Sequence, residues 1–362
     1  MWEASTVDLF CGAGGLTYGL ETAGIKVAEG VDIDERCRYP FEKQTSARFV
    51  NKDIFEYEPH KILDAWNGAE YKVLVGCAPC QPYSTYSQKS LGKSKERRSL
   101  ISRFATLIKE ARPDIVSMEN VPLLAQKNEF LEFKAQLAEL DYWIDDLVID
   151  CREYGIPQRR RRLVLLASNL GAISMNPGRF LDPASWTNVK STIGHLPELS
   201  AGEIHEHDKL HRTSRLSEVN LQRIRHSLPG GTWRDWPKTL RSPCHQRESG
   251  RTYGGVYGRM EWEKPSPTIT GQCYAFGTGR FGHPTQDRAL SLREAALLQT
   301  FPYDYEFYPS DERFPGIAPL GRLIGNAVPP VLGNAIGESI VRHIDESRSR
   351  RESMQRGLVG SD

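Results

Sequence analysis

The sequence contains no apolar run of about 18 residues, so nothing in it reads as a membrane-spanning helix. Met1-Trp2-Glu3-Ala4-Ser5 has no basic stretch leading into an apolar one, and no secretory leader is expected. Cysteine is sparse and odd in number, 7 in 362 residues, which argues against a disulfide framework and for reduced thiols inside a cell. A large excess of either charge is missing as well. The net charge is +1, so overall electrostatics name no polyanionic partner. No internal repeat is visible. What is present is an apolar content of 39% and a charged content of 26%, ordinary for a globular enzyme of two domains or of one domain with an insert.

Charge is uneven along the chain. Between Gly171 and Pro284 there are 15 Lys and Arg against 10 Asp and Glu, a pattern that fits a local polyanion contact or an ordinary solvated surface. In the first half, Thr6–Phe10, Lys26–Val31, Tyr71–Val75, Ile115–Met118 and Leu163–Ala167 read as strands. Leu16–Ala23, Arg103–Ala111 and Glu129–Leu140 read as helices. This alternation predicts an α/β fold with a doubly wound sheet. From Gly171 to Pro284 the chain is rich in Gly, Pro, Trp, His and Arg without clear periodicity, which predicts a second, smaller, irregular domain. Leu292–Thr300 and Val331–Asp345 read as helices, and Glu346–Asp362 as a frayed tail. The expected boundaries are 1–175 for the sheet domain, 176–320 for the small domain, 321–345 for a segment returning to the first, and 346–362 for a flexible tail.

Asp8-Leu9-Phe10-Cys11-Gly12-Ala13-Gly14-Gly15 lies between a strand and a helix. Glycines there let a ligand approach the backbone, and the helix start favours electronegative groups. A dinucleotide fingerprint would need a third glycine at position 17, which is Thr17. S-adenosylmethionine, which joins a carboxylate to an adenosine, fits the turn better. Asp32 at the second strand's end would then meet the ribose hydroxyls, and Asp53-Ile54 the adenine. A purely structural turn is the competing reading.

Cys77-Ala78-Pro79-Cys80-Gln81-Pro82 follows Tyr71–Val75, at the edge where open α/β sheets carry their sites. Its CxxC spacing admits a redox or zinc reading. Against these, no helix pattern follows, and Cys244-His245 is a poor second ligand pair. Glu119, in Met118-Glu119-Asn120-Val121-Pro122, either projects from the same edge or is plain surface. Gln158-Arg159-Arg160-Arg161-Arg162 precedes an apolar strand, and four arginines there call for anions or carboxylates unless simply solvated. His205, His207 and His211 have no Cys or carboxylate pattern beside them, so no metal is expected.

These segments, with Leu292–Pro302 (LREAALLQTFP) and Ile324–Pro330 (IGNAVPP), stand in one order across residues 8–330. In that order the chain resembles the cytosine-5 DNA methyltransferase family of the bacterial restriction-modification type. The resemblance implies a Rossmann-like, S-adenosylmethionine-dependent methyltransferase sheet with a small target-recognition domain. It makes Cys80 the nucleophile that adds to carbon 6 of a flipped-out cytosine, so that carbon 5 can accept a methyl group. Glu119, Arg160 and Arg162 complete the catalytic set. S-adenosyl-L-methionine, leaving as S-adenosyl-L-homocysteine, would be held by Asp8, Phe10, Gly12, Gly14, Gly15, Asp32, Ile33, Asp53, Ile54, Pro79, Leu100, Asn326 and Val328. The chain departs from the family pattern at Ala78, where Phe is usual, and in its all-Arg run, which leaves Arg159 and Arg161 without a firm role. Cys77 is expected to be dispensable, with Cys77→Ala tolerated.

The polar, basic stretch Ser84–Arg98, with Ser84, Ser87 and Gln88 towards DNA, is expected to close over the flipped base. Arg234, Arg241, Arg247, Arg251, Arg259, Arg280 and Gln272 are the candidates for base or phosphate contacts. The implied partners are double-stranded DNA and a cognate restriction endonuclease on the same site. The protein is expected to be a monomer of the bacterial cytoplasm, drawn to the nucleoid through DNA. The competing readings are a tRNA cytosine-5 methyltransferase with the same Cys and Glu motifs, a catalytically inactive DNA-binding relative, and a redox protein using Cys77 and Cys80.

Overall fold

The computed structural model describes residues 3–79, 99–247 and 254–359. The chain divides into two compact units, one of residues 1–150, 161–178 and 328–362, the other of 151–160 and 179–327. The segment 151–160, expected within the sheet domain, pairs in the second unit, where Ser266 donates to the Pro157 carbonyl at 2.8 Å. The return to the first unit comes at Val328, not at 321.

In the first unit, strands β1 (Ala4–Leu9), β2 (Lys26–Asp32), β3 (Arg48–Asn51), β4 (Tyr71–Gly76), β5 (Ile115–Asn120), β6 (Trp143–Asp150) and β8 (Arg161–Ser168) form one sheet, ordered β3-β2-β1-β4-β5-β8-β6. The pairs from β3 through to β5 are parallel. The two pairs of β8, with β5 and with β6, are antiparallel. β1 and β5 are buried along their whole length, as central strands covered on both faces must be. The chain winds outward one way from β1 through β2 to β3 and the other way from β4 to β5. The carboxyl ends of β1 and β4 therefore flank the switch point, where such sheets open a crevice.

The connections are helical: α1 (Gly15–Thr22), α2 (Arg38–Gln44), α3 (Pro59–Ala65), α4 (Leu100–Ala111) and α5 (Asn128–Glu139), with α11 (Pro330–Val359) closing the unit. Trp66, Phe104, Phe130 and Phe133 fill the core on one face of the sheet. On α1, a Cβ at Gly19 would lie 2.3 Å from the Pro330 carbonyl oxygen and 2.4 Å from the Asn334 nitrogen. Only glycine lets α1 and α11 approach this closely. α11 runs well past the point where the sequence predicts a frayed tail. Ser347 is buried and Arg348 pairs with Glu352 one turn on at 2.9 Å, which supports the added turns.

Both edge strands escape the sequence reading. β3 is only four residues long. β6 carries two central aspartates: Asp145 accepts the Met175 amide and Asp146 pairs with Lys134. No described helix is long and apolar enough to cross a membrane.

The second unit has little regular structure. β7 (Gln158–Arg159) and β9 (Ser266–Pro267) make a two-stranded parallel pair. α6 (Val189–Ile193), α7 (Glu218–Arg225), α8 (Pro243–Gln246), α9 (Leu292–Leu298) and α10 (Ile317–Asn326) are short. Its core centres on Ile224, Trp233, Trp236 and Phe276. A capping box of Ser291 with Glu294 starts α9, and Glu294 is bound by Arg288 through two 2.7 Å contacts.

Candidate active site

Three strand ends of the first unit build the site. At the end of β1 the chain turns through Phe10 and Gly12, at φ 62° and 54°. A non-glycine in the left-handed region is held there by its surroundings. A Cβ at Gly12 would meet nothing within 4 Å, so the turn faces open space. Asp32, at the end of β2, accepts from the Gly12 amide at 3.0 Å and the Asp34 amide at 2.9 Å, which ties the second strand to the turn. Burial raises its pKa from the ordinary carboxylate value, and the two amides oppose that rise.

Asp8 lies beneath the turn, fully buried. Thr17 donates to its Oδ2 at 2.7 Å, while Oδ1 has no partner among the described residues. Burial pushes the carboxyl up to about 7, against the Thr17 bond and with the help of the Asp32 charge. Thr17, which breaks the dinucleotide pattern, thus has a role that pattern matching missed. Ile33 is 70% exposed beside Asp32. Asp53 caps the next turn through the Phe55 amide, Ile54 is buried, and Arg103 of α4 donates to the Ile54 carbonyl. Gly14 and Gly15 start α1, Pro79 is exposed, Leu100 is half-buried and Val328 is buried. Asn326 is exposed but belongs to the second unit.

Glu119 stands at the carboxyl end of β5, 2% exposed. Its Oε1 is paired with Arg162 Nε at 2.8 Å, and its Oε2 accepts from the Cys77 thiol at 2.8 Å. Asn120 donates to the Ala78 carbonyl at 3.0 Å. The residues after β4 are thereby fastened to the end of β5. Cys80 itself, with Ser84, Ser87, Gln88 and Arg251, lies outside the described residues. Arg160 belongs to the other unit, where it is buried and donates to the Ile269 and Ala327 carbonyls at 3.4 Å each. These contacts give it an architectural task that the expected catalytic one did not include.

The expected DNA contacts separate by exposure. Arg234, Arg247 and Gln272 are exposed. Arg241 is half-buried and donates to the Trp236 carbonyl, and Arg280 is half-buried against the Gly231 carbonyl. Arg259 corrects the sequence reading: it is 5% exposed and donates to the carbonyls of Ile224, Ser227, His283 and Gln286 and to Asp287. A guanidinium enclosed this way has nothing left for a base. His211 uses both ring nitrogens, on Ser291 and the Pro197 carbonyl.

Comparison with known proteins agrees with this geometry. The C-5 cytosine-specific DNA methylase family matches residues 4–342. The type II methylase M.HgiDII of Herpetosiphon aurantiacus is 46% identical over 351 residues, covering 96% of this chain and 98% of that one. The type II methyltransferase M.PspPI of a Psychrobacter strain is 31% identical, covering 94% and 80%. Among solved structures, a candidate DNA modification methyltransferase from an E. coli prophage superposes with a TM-score of 0.68 at 20% identity, covering 95% and 100%, a likeness of fold. The family match over residues 4–342 and the 46% identity to M.HgiDII over nearly the whole of both chains place this chain in the C-5 cytosine-specific DNA methylase family.

Proposed function

We propose that this chain methylates carbon 5 of a cytosine flipped out of double-stranded DNA at one defined sequence, as the modification partner of a restriction endonuclease. The observation that carries the reading is Glu119, buried at the end of β5 and held by Arg162 beside the segment that leads to Cys80. Family membership implies dependence on S-adenosylmethionine, and the first unit's residues fit that group. Gly12 leaves room for it, Asp32 offers a carboxylate to the ribose, exposed Ile33 offers an apolar face to the adenine, and the unpartnered Asp8 Oδ1 can take a donor.

In this reading Cys80 adds as a thiolate to carbon 6 of cytosine, and the ring's electrons move to carbon 5. Glu119 bonds ring nitrogen 3 and the exocyclic amine, which helps the ring accept charge, and Arg162 holds the base's carbonyl oxygen. The bound cofactor supplies an electrophilic methyl group on its sulfonium. Carbon 5 takes that methyl, then loses its proton to solvent, and departure of Cys80 restores the aromatic ring. The stretch Ser84–Arg98, expected to close over the base, lies outside the described residues, and Arg234, Arg247 and Gln272 are the exposed side chains offered to DNA. The enzyme works as a monomer in the cytoplasm of a bacterium.

The test is incubation with methyl-labelled S-adenosylmethionine and either plasmid DNA or tRNA, followed by mapping of modified cytosines. Label at one DNA sequence is expected, and label in tRNA alone would overturn the reading.

A further inference from the structure

The Cys77 thiol meets the same carboxylate that the proposed mechanism uses. Its place is fixed by backbone, not by chance packing. In the β4–β5 register Gly76 faces Met118, so Cys77, just past the end of β4, comes beside Glu119 of β5. The Cys77 amide donates to the Leu9 carbonyl at 3.3 Å, and Asn120 holds the Ala78 carbonyl. The segment is thus fastened to β1 on one side and β5 on the other.

A carboxylate as buried as Glu119 is costly wherever an oxygen is poorly matched. Arg162 faces Oε1 as a charged partner at 2.8 Å, an ion pair without hydrogen-bond geometry. Cys77 serves Oε2 with a thiol, the weakest donor among the common polar side chains. The asymmetry suits an oxygen that must change partner. An amine N–H on an incoming base outcompetes a thiol easily, whereas a charged ammonium there would resist.

We infer that Cys77 is a positioning residue for methyl transfer, its thiol holding Glu119 Oε2 in place until the cytosine base takes that oxygen over. The inference rests on the cytosine-5 reading above.

Two measurements test it on the full-length enzyme. The first is methyl transfer to plasmid DNA by Cys77→Ala and Cys77→Ser, alone and combined with Glu119→Gln. Loss of one such contact is worth about tenfold in rate. Cys77→Ala is expected to lower kcat about tenfold while KM for DNA and the Kd for S-adenosylmethionine stay within about twofold, and Cys77→Ser to recover most of the loss. In the Glu119→Gln background Cys77→Ala should change kcat by less than about twofold, since the two residues act as one unit. The second is the rate of Cys77 alkylation by iodoacetamide, read by peptide mass spectrometry. It should rise several-fold in Glu119→Gln, because a neighbouring carboxylate disfavours the thiolate. A wild-type kcat in Cys77→Ala, equal losses in both Glu119 backgrounds, or an unchanged alkylation rate would each overturn the inference alone. Absence of transfer to DNA by the wild-type enzyme would instead overturn the cytosine-5 reading, and this role for Cys77 with it.

Discussion

Two buried charges of the second unit differ from three of the first in how they are matched. In the second, Glu294 receives both terminal nitrogens of Arg288 and the Ser291 amide, and Arg259 is enclosed by four carbonyls and Asp287. In the first, Asp8 keeps an oxygen without a partner, Asp32 relies on two amides, and Glu119 rests half its carboxylate on a thiol. A charge fully matched by protein contributes to architecture. A charge matched incompletely or weakly is available to a ligand.

The hardest test of this contrast lies in the first unit. Cys80→Ala is expected to drop methyl transfer below detection while S-adenosylmethionine still binds by calorimetry. Turnover in that variant would show that another group is the nucleophile. In the second unit the expected injury is to stability. Arg288→Met leaves Glu294 buried without its guanidinium, which should cost about 3–5 kcal/mol in chemical denaturation, with kcat of the folded enzyme kept within about threefold. A well-folded but inactive variant would erase the distinction between the units.

The finest test uses pH. Asp8, raised to about 7, binds a proton in the folded protein that the unfolded chain releases near 4, so its contribution to stability is present in acid and lost as pH rises through 7. Asp8→Asn, which cannot titrate, should gain in thermal midpoint relative to wild type between pH 5 and pH 8. His283, pushed down to about 4 by burial, works in the reverse sense, its contribution lost as pH falls from 6.5 through 4. His283→Asn should therefore gain relative to wild type in acid. Parallel slopes in the two variants would contradict the opposite signs.

Much of the first unit was legible because its signals are local. Strand, turn and helix follow one another within a few residues at Asp8–Thr22, and the apolar runs of β4, β5 and β8 announce buried strands. Edge strands were missed because half-exposed residues such as Asp145 and Asp146 do not read as sheet. The partner of Cys77 could not be read, since Glu119 is 42 residues away and only strand register joins them. Arg234 and Arg259 look alike in sequence. One is exposed and the other enclosed, and what divides them is contact with Ile224, His283 and Asp287, elsewhere in an irregular unit with no period to reveal it.

The two margins of the sheet carry a consequence for solution behaviour. An open sheet invites a foreign strand wherever its outer backbone is long and unguarded. Here one margin, β3, is four residues long, and the other, β6, bears aspartates tethered to Met175 and Lys134. A second molecule seeking to extend the sheet would find too short a template on one side and fixed negative charge on the other. Strand addition is disfavoured at both margins.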